Sequence, residues 1–122
     1  MPVEYQDSHL SRRAEELNIW IYALTQTFPN YEANELASQL RRASDSAERN
    51  ISESTEYRHR MSDRDFRKLL GIAQNSMHDV QKQLLAAKQL QIGDEETLRK
   101  AEAQCVETSK MLDAFILFES SG

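Results

Sequence analysis

The 122-residue chain carries 15 Lys and Arg against 20 Asp and Glu, a formal net charge of −5, with 39% hydrophobic and 29% charged residues. Three Gly and two Pro are too few breakers for a turn-rich sheet fold and suit one domain, 1–122, of long helices. The acidic balance argues against an indiscriminate nucleic-acid binder, because neutralising phosphates takes clustered Lys and Arg.

In chain order, residues 1–9 are polar and lack the apolar run of a secretory signal. The first helix is expected over about 8–27. Its seam is Leu10, Ala14, Leu17, Ile21, Leu24 and Phe28, with steps alternating four and three. Pro29 ends it, since a proline disfavours helix at the residue before it. The longest apolar run, 19–24, is far short of the roughly 20 residues that span a bilayer, so no membrane association is expected.

The second helix is expected over about 31–57, on Leu36, Leu40, Ala43 and Ala47. The next seam position is Asn50, with Ile51 beside it. A polar residue there either fixes register between helices or turns to the rim of the bundle. Residues 58–61 read as a short connection, and Ser62 with Asp65 resembles a capping box.

The third helix is expected over about 63–91. Phe66, Leu70, Ala73, Met77, Val80, Leu84 and Ala87 keep the four-three alternation. Gly71 lies inside it and suggests a close backbone contact. Gly93 provides a stop and Asp94 an N-cap. The fourth helix is expected over about 95–118, on Leu98, Ala101, Cys105, Thr108, Leu112 and Phe115, with Glu95 and Glu96 at the positive end of its dipole. Four such helices with short connections predict an all-α, up-down-up-down antiparallel four-helix bundle.

Catalytic and cofactor chemistry find little support in this pattern. His9, His59 and His78 share no metal-ligand spacing, and Glu-x-x-His occurs once, at Glu56–His59, where a di-iron bundle uses two. No Gly-rich phosphate loop is present. Cys105 sits on a seam and reads as a small buried hydrophobe rather than a reactive thiol. No catalytic residue, metal or cofactor is therefore expected, and the chain is read as a non-enzyme.

Two features point instead to association. Ile19, Tyr22 and Ala23 lie opposite the helix 1 seam, with Trp20 flanking it, so an apolar second face is available for a partner or another copy. Ile19 and Tyr22 are the candidate oligomer contacts. The charge distribution is also uneven. The 41–68 segment has eight Lys and Arg against six Asp and Glu, about +2, while the rest has seven against fourteen, about −7. Arg49, Arg58, Arg60, Arg64, Arg67 and Lys68 are the candidate nucleic-acid contacts, the bland alternative being ordinary surface charge pairing.

The run Ile21-Tyr22-Ala23-Leu24-Thr25-Gln26-Thr27-Phe28-Pro29, then Glu32, then Leu36-Ala37-Ser38-Gln39-Leu40-Arg41-Arg42-Ala43, resembles the four-helix-bundle proteins encoded by intervening sequences of bacterial 23S ribosomal RNA genes. That family usually continues Ser-Ile-x-x-Asn-Ile-Ala-Glu-Gly, where this chain has Ser46-Ala47-Glu48-Arg49-Asn50-Ile51-Ser52-Glu53-Ser54. Its third helix usually carries a phenylalanine, a leucine pair, Ala-x-Gly-Ser and an acid. The matching residues are Phe66, Leu69-Leu70, Ala73, Gln74, Asn75-Ser76 and Asp79. The motif positions are thus Arg41, Arg42, Asn50, Ile51 and Glu53, with departures at Ser52, Ser54 and Asn75.

The resemblance implies homopentamers of four-helix protomers, with a suspected association with RNA. A related branch, the accessory variability determinant of diversity-generating retroelements, is similar in fold and binds RNA and a reverse transcriptase through a strongly basic surface, whereas this chain is acidic. The expected function is a cytoplasmic, non-enzymatic, homo-oligomeric scaffold or adaptor, pentameric by resemblance. The single cysteine fits a reducing compartment. The alternative is an RNA-binding accessory protein, rRNA- or retroelement-associated, using the 41–68 segment.

Overall fold

The structure is a computed structural model that describes residues 3–29 and 34–121, with side chains described over 9–29 and 34–119. It contains α1 (Val3–Gln26), α2 (Asn34–Glu56), α3 (Asp63–Gln89) and α4 (Glu95–Ser121), with one 3-10 turn, Arg58–Arg60, between α2 and α3. No strand occurs among the described residues. Helix α1 begins five residues earlier than expected, because nothing between residues 3 and 8 breaks a helix. The expected start of the second helix at Tyr31 lies outside the described residues.

Cross-helix pairs fix the topology. Ser11 meets Ser52, Asn18 meets Glu48, and Thr25 meets Arg41, so α1 and α2 run antiparallel. Thr108 bonds to the Arg13 carbonyl and the Asp94 amide to the Thr27 hydroxyl, which sets α4 antiparallel to α1. Gln74–Asp113, Gln81–Ser109 and Lys88–Glu102 do the same for α3 and α4. Helix α2 also packs on α3. Each helix therefore neighbours the one before and after it, and α1 with α4 closes an up-down-up-down four-helix bundle.

The expected seams form the core. All six seam residues of α1, all seven of α3 and all six of α4 are buried. On α2, Leu40, Ala43, Ala47 and Ile51 are buried and Ala37 joins them, while Leu36 is only partly covered. Phe66 and Phe115 meet edge to face, with ring centroids 5.9 Å apart, where α3 starts and α4 ends.

The connections follow from local chemistry. Ser62 caps α3, its hydroxyl accepting from the Asp65 amide at 3.1 Å. At the other end of α3, the Ile92 amide bonds to the Ala87 carbonyl and the Gln91 amide to that of Lys88, a Schellman pattern. Its left-handed residue is Gln91, at φ 56°, so the first stop comes two residues before the glycine expected to supply it. Gly93 then takes φ 90° and turns the chain into α4. Asp94 caps that helix, accepting from both the amide and the hydroxyl of Thr97. Those two bonds, the hydroxyl's first, lower its pKa.

Gly71 corrects the sequence reading. A Cβ built there meets no heavy atom within 4 Å, so the position marks open space rather than a tight crossing. Gly71→Ala is expected to stabilise the protein by about 0.5–1 kcal/mol, through helix propensity alone. A urea titration followed by circular dichroism reads this as a higher midpoint. An unchanged or lower midpoint contradicts the open position.

Candidate functional site

A polar seam joins α1 and α2. Asn18 donates to Glu48 at 2.6 Å, and its carbonyl accepts from Ser44 at 2.6 Å. Tyr22 donates to Asp45 at 2.8 Å. Arg41 donates through Nε to the Thr25 hydroxyl at 2.7 Å and lies 5.0 Å from the Tyr22 ring centroid. The Asp45 bond, then burial, raises the Tyr22 pKa. Burial also raises that of Glu48, with Glu15 and Asp45 adding to it against the Asn18 bond. The seam was legible in principle: polar residues recur at 11, 18, 22 and 25 on α1, and at 41, 44, 45, 48 and 52 on α2.

Glu48 carries a prediction of pH dependence. Its raised folded-state pKa means that the folded protein binds the proton more tightly than the unfolded chain. The stability this contributes is complete below the ordinary carboxylate pKa and is lost as pH rises through the folded value. Glu48→Gln keeps an acceptor for Asn18 and removes the charge. The variant is expected to melt above the wild type at neutral pH, with the gap narrowing as pH falls through the raised folded value and closed below about pH 4. A gap that widens on acidification contradicts this sign.

The motif positions divide between inside and outside. Asn50 is 6% exposed and sits on the apolar seam rather than at the rim. It donates to the Ser46 carbonyl at 2.8 Å and lies 3.3 Å from the Ser46 hydroxyl, which in turn meets Ser76 of α3 at 2.8 Å. Asn50 thereby belongs to a short polar chain between α2 and α3. Ile51 is fully buried and Arg41 belongs to the α1–α2 seam, whereas Arg42 and Glu53 are exposed.

The six basic candidates are not equivalent. Arg58 lies 3.9 Å above the Phe66 ring and pairs with Asp63 at 3.0 Å and Glu119 at 3.9 Å, so its charge is spent within the protomer. Arg60 reaches over the exposed Tyr57 ring. Arg49, Arg64, Arg67 and Lys68 are exposed, and among the described residues none has an ion-pair partner. Arg64 and Lys68 follow each other at i and i+4 on α3, so they share a face, while Arg49 stands apart on α2.

Of the α1 candidates, Ile19 is 67% exposed. Tyr22 is half-buried and engaged by Asp45 and Arg41, so it serves the protomer whatever else it does. Trp20 packs against the core beneath Lys100. Burial pushes the Cys105 thiol up to about 11, in keeping with a small buried hydrophobe. Among the described residues, no group of His, Cys, Asp and Glu is placed to hold a metal ion, and no helix is long and apolar enough to cross a membrane.

Sequence reasoning missed the α3–α4 edge. Three cavities are strung along it, at the 88–99 end, at the middle, and at the start of α3 beside the end of α4. The last is the largest, about 890 Å³.

With four helices in this order and Arg41, Asn50 and Ile51 built into their seams, the comparison with known families is decisive. The model of the 23S rRNA-intervening sequence protein family matches residues 6–114. The chain belongs to this family. The match takes in nearly all of the bundle, and in this 23S rRNA-intervening sequence protein Arg41, Asn50 and Ile51 serve the helix seams. No curated protein matches the chain.

Proposed function

We propose that this 23S rRNA-intervening sequence protein is a cytoplasmic, non-enzymatic scaffold or adaptor that works as a homo-oligomer, pentameric by resemblance. The observation that carries the reading is Ile19. It is a large apolar side chain, 67% exposed, on the outer face of a helix whose own core is already complete. Leaving such a residue in water forfeits roughly 1.5–3 kcal/mol relative to full burial. A closed ring buries it once per subunit through one repeated heterologous contact. Tyr22 lies one turn on and borders the same surface, although its hydroxyl is committed to Asp45.

Light scattering tests the assembly. The wild type is expected to have several times the protomer mass, and Ile19→Glu to shift it toward monomer by weakening association at least tenfold, a modest charge effect at an apolar contact. A monomeric wild type at micromolar concentration overturns the proposal. A variant of unchanged mass places the contact elsewhere.

A second reading, an RNA-binding accessory protein, is favoured by Arg64, Arg67 and Lys68, which among the described residues have no ion pair and follow Arg60 and Tyr57 closely in the chain, with Arg49 apart on α2. Electrostatic RNA binding weakens steeply with salt, whereas apolar assembly does not. A gel shift with structured RNA at low salt, lost in an Arg64→Ala/Lys68→Ala variant, supports it. No shift at micromolar protein removes it.

A further inference from the structure

Of the four edges of the bundle, α3–α4 is the most loosely packed. Between α3 and α4 the Phe66–Phe115 contact lies in the core, and the polar bridges at the surface are Gln74 to Asp113, Gln81 to Ser109 and Lys88 to Glu102. At one end of this edge, where α3 starts and α4 ends, lies a cleft of about 890 Å³. Small-molecule sites are commonly clefts of roughly 300–1,000 Å³, mostly apolar, with a few polar groups that fix orientation. Ile116 and Phe118, the latter 46% exposed, give this cleft its accessible apolar wall, over a floor of Phe66 and Leu70 that the core already covers. Gly71 supplies the room. It lines the cleft, and a side chain built there points at nothing within 4 Å.

The charges of the cleft are arranged unequally. Asp63 stands four residues before Arg67 and is its natural partner on the helix surface. Arg58 takes that carboxylate instead, at 3.0 Å, and also draws in Glu119 at 3.9 Å while lying flat on the Phe66 ring. Both acids of the cleft are thereby engaged by one guanidinium. Arg67 is left, among the described residues, as the lining cation without an ion pair. A guanidinium binds a carboxylate through two parallel hydrogen bonds. One unpaired guanidinium beside an apolar cleft complements one anionic head on an apolar body.

We propose that this cleft binds a medium-chain acyl carboxylate, its chain against Ile116 and Phe118 and its head on Arg67. The site lies on the edge of the bundle opposite the α1–α2 seam, away from Ile19, so it stands apart from the assembly reading.

Isothermal titration of the full chain with decanoate, kept below its micelle threshold, tests the site, with 1-decanol as the uncharged analogue. The wild type is expected to bind one decanoate per chain, saturably. Gly71→Met fills the cleft from a helical position with free space and is expected to weaken both ligands at least tenfold, with no fall in Tm. Arg67→Glu, an exposed substitution that leaves the core alone, is expected to weaken decanoate at least tenfold and decanol little. The absence of saturable binding by millimolar decanoate overturns the proposal, as does binding that both variants leave unchanged. Decanoate that binds Arg67→Glu as well as wild type removes the carboxylate assignment. A wild type that binds neither ligand, and whose oligomer Gly71→Met splits, assigns the cleft to a second copy and overturns the proposal likewise.

Discussion

Ile51→Asp is expected to abolish the native fold at room temperature or to leave a loosely packed helical state. Ile51 has no exposed surface and sits in the one continuous core of the bundle. A lone carboxylate there has neither water nor a cation. It would be held protonated, and even the neutral acid would lack a hydrogen-bond partner, at a cost of about 2–7 kcal/mol. The lost isoleucine packing adds about 2–5 kcal/mol. Against a total stability of roughly 5–15 kcal/mol, the sum removes most or all of it. Ile51→Val, which only trims a methylene, is expected to cost about 0.5–1.5 kcal/mol. Urea titration separates the two. Equal midpoints would place Ile51 outside the core and undo the seam of α2.

Gly93→Ala is the second large effect, and its contrast with Gly71→Ala is informative. Gly93 holds φ at 90°, in the left-handed region that a Cβ disfavours by roughly 1–2 kcal/mol. The added carbon would also lie 2.7 Å from Cε1 and 2.9 Å from Cδ1 of Phe28, with Leu24 Cδ1 at 3.1 Å. Phe28 and Leu24 are themselves buried, so the ring has little room to withdraw. Such overpacking costs about 1–3 kcal/mol. Together these predict a loss of about 2–5 kcal/mol, a fall of roughly 5–20 °C in melting temperature. The same substitution thus changes sign between two glycines of one chain. A melting temperature for Gly93→Ala equal to wild type would show that the α3–α4 turn rearranges freely.

The fold was readable because each helix carries one seam with a four-three step, and a bundle asks for little else. The α3 run from Phe66 to Ala87 was assigned without error for this reason. Asn50 was readable as an anomaly but not as an answer. Whether it faces the core or the rim depends on helix rotation, and its burial beside Ser46, which meets Ser76 of α3, settles that. Tyr22 was ambiguous in another way. A tyrosine on a polar flank looks the same whether it meets solvent, a partner or an aspartate on the next helix. The α3–α4 cleft was invisible, since it arises from residues of two helices 42–56 positions apart and from the absent side chain of Gly71. A mid-helix glycine signals either close approach or an opening, and sequence does not separate them. The basic candidates shared this limit. Charge density picked out the 41–68 segment, but only the fold shows that Arg58 is consumed by Asp63 and Glu119 while Arg64 and Lys68 are not.

The single thiol turns the bundle into its own clock. Cys105 is 1% exposed, and its ionisation is pushed up to about 11 by burial. Alkylating reagents attack the thiolate, so at mildly alkaline pH the closed molecule offers them almost nothing. Labelling then proceeds through moments when α4 parts from its neighbours, and its rate counts those openings much as amide exchange does. One sulfur per chain gives one exponential. Where reclosing outpaces the reagent, the rate reads the free energy of opening; where the reagent is fast, it reads the opening rate itself.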